Sequence, residues 1–297
     1  LIILFLKSEL NYDRNQGKGN RIYRMVVNRK YPGRSTSYSF IPQSYAAAVK
    51  QECPEVEETV RLYNFNNGGS FQLTYGDKKF EEKRAFFVDS NFFRVFSSRI
   101  LSGDARTALM KPHAVVLTET TAKKYFGSVA DAEGKILQPE GNNNPPFLVT
   151  AVCSDWPANS HFVFDMLITT AGDPNFSTEN FVNFAAHTYL LLSPNSTPQA
   201  VENRFLPIIE KYAVGNIEKQ FAMSYKQFKS GGNGYDYYLQ PLHKIHLSSH
   251  LEGELLPNGS MQAVYIFSLV AFIILVLACV NFINLATARS AERAKEV

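Results

Sequence analysis

The residues best equipped for chemistry are histidines: "LHKIHLSSH" sets His243, His246 and His250 within eight positions. Neutral imidazole is a common zinc ligand, so the spacing raises a metal site. In a strand, however, His243 and His246 face opposite sides, and no cysteine or acidic cluster lies beside them. Surface or hinge histidines are the better reading. A second group, "DWPANSHFVFD", gathers Asp155, Asn159, Ser160, His161 and Asp165, which could form a polar site. Pro157 and Asn159 favour a turn there instead, with Asp155 or Ser160 capping exposed amides. "GSVADAEGK" approaches a phosphate loop, but the Walker spacing needs glycine at Val129 and a hydroxyl residue at Ile136. Gly127 therefore reads as a helix stop and Gly134 as a turn. With no GxSxG, HExxH or informative Cys-His spacing, neither a catalytic residue nor a cofactor or metal is expected.

Asn281 and Asn284 are polar where polarity is most costly, inside the run from Val264 to Ala286. "VYIFSLVAFIILVLACV" is apolar all round, as lipid requires, and long enough for a hydrocarbon core roughly 30 Å thick. A transmembrane helix over 263–287 is expected. Asn281 and Asn284, three apart, share a helix face that Leu277 and Ala288 continue, which suits packing against another helix through hydrogen bonds of about 0.6 kcal/mol each. An ion pathway normally needs ionisable groups, which this span lacks. Tyr265 and Phe267 stand at the entering end, and Ile245 to Gln262 holds no lysine or arginine, whereas Arg289, Arg293 and Lys295 follow the span. Basic residues thus place 288–297 in the cytoplasm and 7–260 outside it. "LIILFLKSEL" opens with six apolar residues, too few to cross; 1–6 reads as the tail of a truncated first membrane helix. Lys7, Arg14, Lys18, Arg21 and Arg24 then follow, but long domains translocate largely regardless of charge.

The elements between these helices follow from periodicity. "RIYRMVV" from Arg21 and "TVRLYNF" from Thr59 alternate as strands, and "PQSYAAAVKQEC" between them is helical, with Pro42 in its first turn and Pro54 at its stop. The order returns as "HTYLLLS" from His187, a helix from Pro198 that Pro207 should kink, and "YDYYLQPL" from Tyr235. Two such units suit a sheet of four or more strands with both helices on one face. The stretch 66–186 reads as an inserted α+β subdomain. In it, "FQLTYGDKKFEEKRAFFV" forms a hairpin turning near Gly76 and Asp77; "AVVLTETTAKKYFG" is a strand, a Thr118 cap and a short helix ending at Gly127; "FLVTAV" and "HFVFDMLITT" are further strands.

The 297 residues, 45% of them hydrophobic, are enough for a sizeable core, and a net charge of +3 gives no basic field for nucleic acid. Of three cysteines, Cys279 lies in the apolar run, leaving Cys53 and Cys153 either as one bridge or as two inert thiols.

"RIYRMVV", "ECPEVEETVRLY", "VDSNFFRVFSSRILSGD", "AVVLTETTAKKYFG", "EGKIL", "FLVTAVCSDWPANSHFVFDMLI", "LQPLHKIHL" and "NFINLATARSAERAKEV" occur in this order, and in that order they resemble bacterial ABC-transporter permeases of the MacB/FtsX type. The resemblance covers nearly the whole chain. It implies an α+β periplasmic core domain of the bacterial inner membrane. The domain would have a porter-like part at 20–65 and 187–247, a sabre-like insertion at 66–186, and membrane helices at both ends. It further implies a non-catalytic permease that pairs with a second copy and with a cytoplasmic ABC ATPase. Such a permease converts ATP-driven motion into efflux, lipoprotein extraction or cell-envelope work, with a periplasmic protein or lipoprotein as a further partner. The ATPase contact would begin near Glu292, Arg293, Lys295 and Glu296, where the chain stops. A membrane-tethered extracytoplasmic sensor is the alternative.

Overall fold

A computed structural model gives the structure of the protein over residues 2–64, 70–141 and 145–295. Its strands are β1 (Ile22–Tyr31), β2 (Arg34–Tyr38), β3 (Ile41–Pro42), β4 (Val56–Asn64), β5 (Phe71–Tyr75), β6 (Lys78–Glu82), β7 (Ala85–Val88), β8 (Ile100–Ser102), β9 (Ala114–Thr118), β10 (Ile136–Pro139), β11 (Phe147–Cys153), β12 (Met166–Thr169), β13 (Phe184–Leu192) and β14 (Gly234–Pro241).

β1 is central because it is apolar on both faces. Met25 and Val27 enter one core cluster and Ile22 enters another, so burial along the strand is nearly continuous. One edge of β1 pairs antiparallel with β14 from Tyr23↔Pro241 to Lys30↔Gly234. The other edge pairs with β13 from Ile22↔Leu191 to Met25↔Thr188, then with β2. β13 in turn pairs antiparallel with β4. The order β14-β1-β13-β4 interleaves the two expected strand-helix-strand units, each crossover stepping over a strand of the other. Both crossovers cover one face: Val49 from the helix Tyr45–Glu52 shares a buried cluster with Val201, Phe205, Ile208 and Ile217 and with sheet residues Met25, Leu190 and Leu239.

Three local expectations need correction. Pro42 lies in β3, opposite Phe184, and not in a helical turn. The helix starts later because Ser44 is held to Asn180, its Oγ accepting from Asn180 N at 2.7 Å and its N donating to Asn180 O at 3.1 Å. The helix from Pro198 is broken rather than kinked: Pro198–Glu202, Phe205–Ile208, a π-helical turn Ile209–Ala213, and Val214–Phe221. Pro207 has no N–H for the carbonyl of Asn203, where the chain leaves the α-helix. In "HFVFDMLITT" only Met166–Thr169 is strand. The amide of His161 donates to the carboxylate of Asp13 and has no strand partner.

The same sheet continues through β4-β7-β12-β9-β11-β10-β5-β6. β5 and β6 join at Gly76 and Asp77, with Tyr75 opposite Lys78, as the sequence implies. β9 and β11 are parallel, and the helix Glu119–Phe126 lies on the crossover between them. Thr118 caps this helix by accepting from Thr121 N, and Gly127 ends it at φ 84°. A third core cluster, with Leu117, Tyr125, Leu137 and Met166, fills this half. On the far face of β13 an aromatic cluster of Phe92, Phe96, Trp156, Phe162 and Phe164 packs on Ile22, Leu62 and Tyr189.

Two helices stand apart from the sheet, Ile2–Leu10 and Met261–Lys295. They touch through Phe5 and Phe267, whose ring centroids are 5.0 Å apart at 64°. The part Met261–Thr287 is 27 residues long and apolar enough to cross a membrane, and only 6% of its most apolar stretch is buried, unlike the core helix of a soluble domain. Cys53 and Cys153 are free thiols in different core clusters.

Candidate functional site

The two helices that stand apart from the sheet, Ile2–Leu10 and Met261–Lys295, meet it at one junction, held by buried polar contacts. Past Leu10 the chain turns sharply at Asp13, which takes φ 57°, a left-handed value that aspartate tolerates better than most residues. The Asp13 amide donates to Asn159 O at 2.9 Å, and Asn159 Nδ2 donates to Asn11 O at 3.0 Å. The Asp13 carboxylate lies 2.9 Å from His161 Nδ1, and His161 Nε2 lies 2.7 Å from the Tyr189 hydroxyl. A proton on Nδ1 directed at the carboxylate leaves Nε2 to accept from Tyr189. All three side chains are buried, and burial pushes the Tyr189 phenol well above its ordinary range.

Beside Tyr189 lies Arg24, which is 0% exposed. Its guanidinium forks onto Glu254, with Nη1 2.7 Å from Oε2 and Nη2 2.8 Å from Oε1. Nη2 also reaches Gln240 Oε1 at 2.7 Å and Ser249 Oγ at 3.1 Å. Burial by itself would raise the Glu254 carboxyl, but Arg24 and Ser249 outweigh it and hold it below the ordinary carboxylate range. Asn258 Nδ2 donates to Ser249 O at 3.0 Å, tying the connector that leads into Met261–Lys295. A parallel link runs outside: Glu9 Oε2 lies 3.0 Å from His246 Nε2, and the Tyr12 ring stacks on His246 at 3.3 Å and 2°. The succession Asp13, His161, Tyr189, Arg24, Glu254 thus runs from the segment entering the sheet to the segment leaving it. Asp13, His161, Tyr189 and Arg24 are buried and Glu254 is partly buried, which suits holding the two segments together.

The structure separates the sequence candidates. Leu242–Lys244 and Ile245–Ser248 are short helical turns, so the strand reading of the histidines fails; the helical turns follow directly on Pro241, the last residue of β14. His246 is buried at the junction, His243 is partly covered and His250 is exposed. No group of three His, Cys, Asp or Glu able to hold a metal occurs among the described residues. Asp155 accepts from Thr120 N at 2.9 Å and from Thr120 Oγ1 at 2.6 Å, at the start of the helix Glu119–Phe126. Asp165 pairs with Arg84 at 2.6 Å, so the two acids do not converge with His161. Leu277, Asn281 and Asn284 are exposed on the long helix, beyond the contact with Phe5. The side chains of Ala288, Glu292, Arg293 and Lys295 lie outside the described ones, although that helix includes these residues, and Glu296 lies outside the described residues altogether. Sequence reasoning missed the junction. Asp13 gave no signal, but Arg24 in "YRMVV" did, since a charge on a strand buried on both faces needs a partner.

Residues 1–208 match the family model of the MacB-like periplasmic core domain. A permease-protein domain from Porphyromonas gingivalis shares the fold at TM-score 0.64 and 23% identity, over 77% of this chain and 92% of that one. The periplasmic region of MacB from Actinobacillus actinomycetemcomitans aligns at TM-score 0.46 and 15% identity, over 76% of this chain and 91% of that one. Comparison with curated proteins returns no match. On the extent of the family match, this chain belongs to the MacB-like periplasmic core domain family.

Proposed function

We propose that this chain is the extracytoplasmic lever of an ABC-transporter permease, moved by a cytoplasmic ATPase through its membrane helices. In this reading residues 7–260 are periplasmic and the C-terminus is cytoplasmic. The parts 20–65 with 187–247 and 66–186 act as porter-like and sabre-like regions. Leu277, Asn281, Asn284 and Ala288 pack against another permease helix, and Glu292, Arg293, Lys295 and Glu296 meet the ATPase. A second permease copy completes the machine, and its output is efflux, lipoprotein extraction or envelope work. The observation that carries the reading is the junction: both helices are fastened to one sheet through Glu9–His246 and the Asp13-to-Glu254 succession. Only elements with differential contacts in two states transmit work, and a slack connection would dissipate it.

The test uses the full permease with its ATPase in proteoliposomes. Glu9→Gln combined with Tyr12→Ala loosens the junction at its partly exposed side. Basal ATP turnover is expected to persist while coupled export falls about 5- to 150-fold. Export unchanged by the pair counts against the lever. Replacing Asn281 and Asn284 together with leucine is expected to weaken assembly, and labels at 292–296 that react only from the periplasm would refute the topology.

A further inference from the structure

A cavity of about 740 Å³ lies beside β13, with Glu254 of the junction in its wall. Three aromatic rings form one side of it, and Asn64, Glu252 and Glu254 give it polar lining. Tyr38, Phe40 and Phe184 line it, with ring centroids 5.8 Å apart for Tyr38–Phe40, 5.0 Å for Tyr38–Phe184 and 5.9 Å for Phe40–Phe184. His187 also lines it, its ring 5.8 Å from that of Phe40. This imidazole is 5% exposed, and its Nδ1 lies 3.1 Å from the carbonyl oxygen of Ser39. A carbonyl only accepts, so Nδ1 carries the proton and Nε2 is left with a lone pair and no partner among the described residues. Burial holds the pKa of His187 down to about 3, so the ring stays neutral.

At the rim stands Glu252. Its backbone is fixed, the amide donating to Ser37 O at 2.9 Å and the carbonyl accepting from Ser39 N at 3.0 Å. Its carboxylate is exposed and makes no ion pair or hydrogen bond among the described residues, whereas that of Glu254, also in the wall, is already matched by Arg24. Among the described residues no lysine or arginine lines the cavity, and the nearby Arg24 is neutralised by Glu254. The aromatic faces, the imidazole lone pair and an uncompensated carboxylate all favour one kind of guest, a cation that donates hydrogen bonds and carries an apolar stem.

We propose that this cavity binds an alkylammonium group, with its N–H donating to His187 Nε2, its charge facing Glu252, and its alkyl stem against Tyr38, Phe40 and Phe184. The guest would touch β2, β13 and the connector to the long helix together, since Glu252 bridges to Tyr38. The inference is independent of force transmission.

The test is calorimetric titration of the full chain, in nanodiscs of zwitterionic lipid, with n-butylammonium as the probe. Empty nanodiscs provide the blank and n-butanol the neutral control. Saturable one-to-one binding of the ammonium is expected, with butanol much weaker. Glu252→Gln, at an exposed position that leaves the fold alone, should weaken binding at least about fivefold, and Phe184→Leu similarly. Nα-acetyl-lysine-N-methylamide separates the sources: tighter binding than butylammonium supports a polypeptide lysine, weaker binding a free amine. Absence of saturable butylammonium binding, equal binding of butanol, or full affinity in Glu252→Gln overturns the proposal.

Discussion

Arg24 shows how one residue can bind distant segments together. A buried ion pair adds little net stability over an apolar substitute, but removing one partner strands a charge, at a cost of about 3–5 kcal/mol. Glu254→Gln should therefore lower the urea-unfolding free energy by about that amount, while Arg24→Met with Glu254→Leu should recover most of it. The Glu254 carboxyl is held low in the fold, so its contribution is present above the ordinary carboxylate range and is lost as pH falls through the depressed value. His187 acts in the same direction for a different reason. Its folded pKa of about 3 lies below that of a free imidazole, so the unfolded chain binds the extra proton on acidification. His187→Asn, which keeps a donor for Ser39 O, should flatten the stability slope between about pH 6 and pH 4 by about 1.4 kcal/mol per pH unit. Urea titrations at several pH values check both statements. Little of this was legible in the chain. Asp13 and His161 are 148 positions apart, and nothing local to either announces the other.

Elements were more readable where their cause is local. Thr118 and Gly127 bound their helix as sequence rules expect, and Gly76–Asp77 turns its hairpin with Gly76 at φ 57°. Thr118→Ala should cost about 1 kcal/mol by removing the cap, measured as a shift in the urea midpoint at constant slope. The hairpin of β1 and β2 was overlooked although "YPGR" announces it. Pro32 fixes one turn dihedral and Gly33 supplies φ 75°, bringing Tyr31 opposite Arg34. The misplacement of Pro42 has another origin. A proline before an alanine-rich helix is a sound first-turn signal, overridden here by the tertiary anchor between Ser44 and Asn180. The π-turn at Ile209–Ala213 had no advance sign beyond Pro207.

At the scale of the whole molecule, strand-helix-strand order was legible but its interleaving was not, because which strands pair depends on contacts far apart in sequence. Cys53 and Cys153 sit in separate clusters, and burial raises their thiols to about 11 and about 12. Both should resist a membrane-impermeant maleimide until the domain unfolds, so labelling measured against urea should follow the loss of tertiary signal; prompt reaction in buffer would contradict this packing. The outer strands carry a different consequence. β6 ends the sheet with Lys78, Lys79 and Glu81, and on β14 the amide of Leu239 is taken by the Glu202 carboxylate at 2.7 Å. With one border charged and the other occupied by a side chain, further strands find poor purchase at either margin. The two ends of the strand path are thereby guarded against running on from molecule to molecule as a fibre.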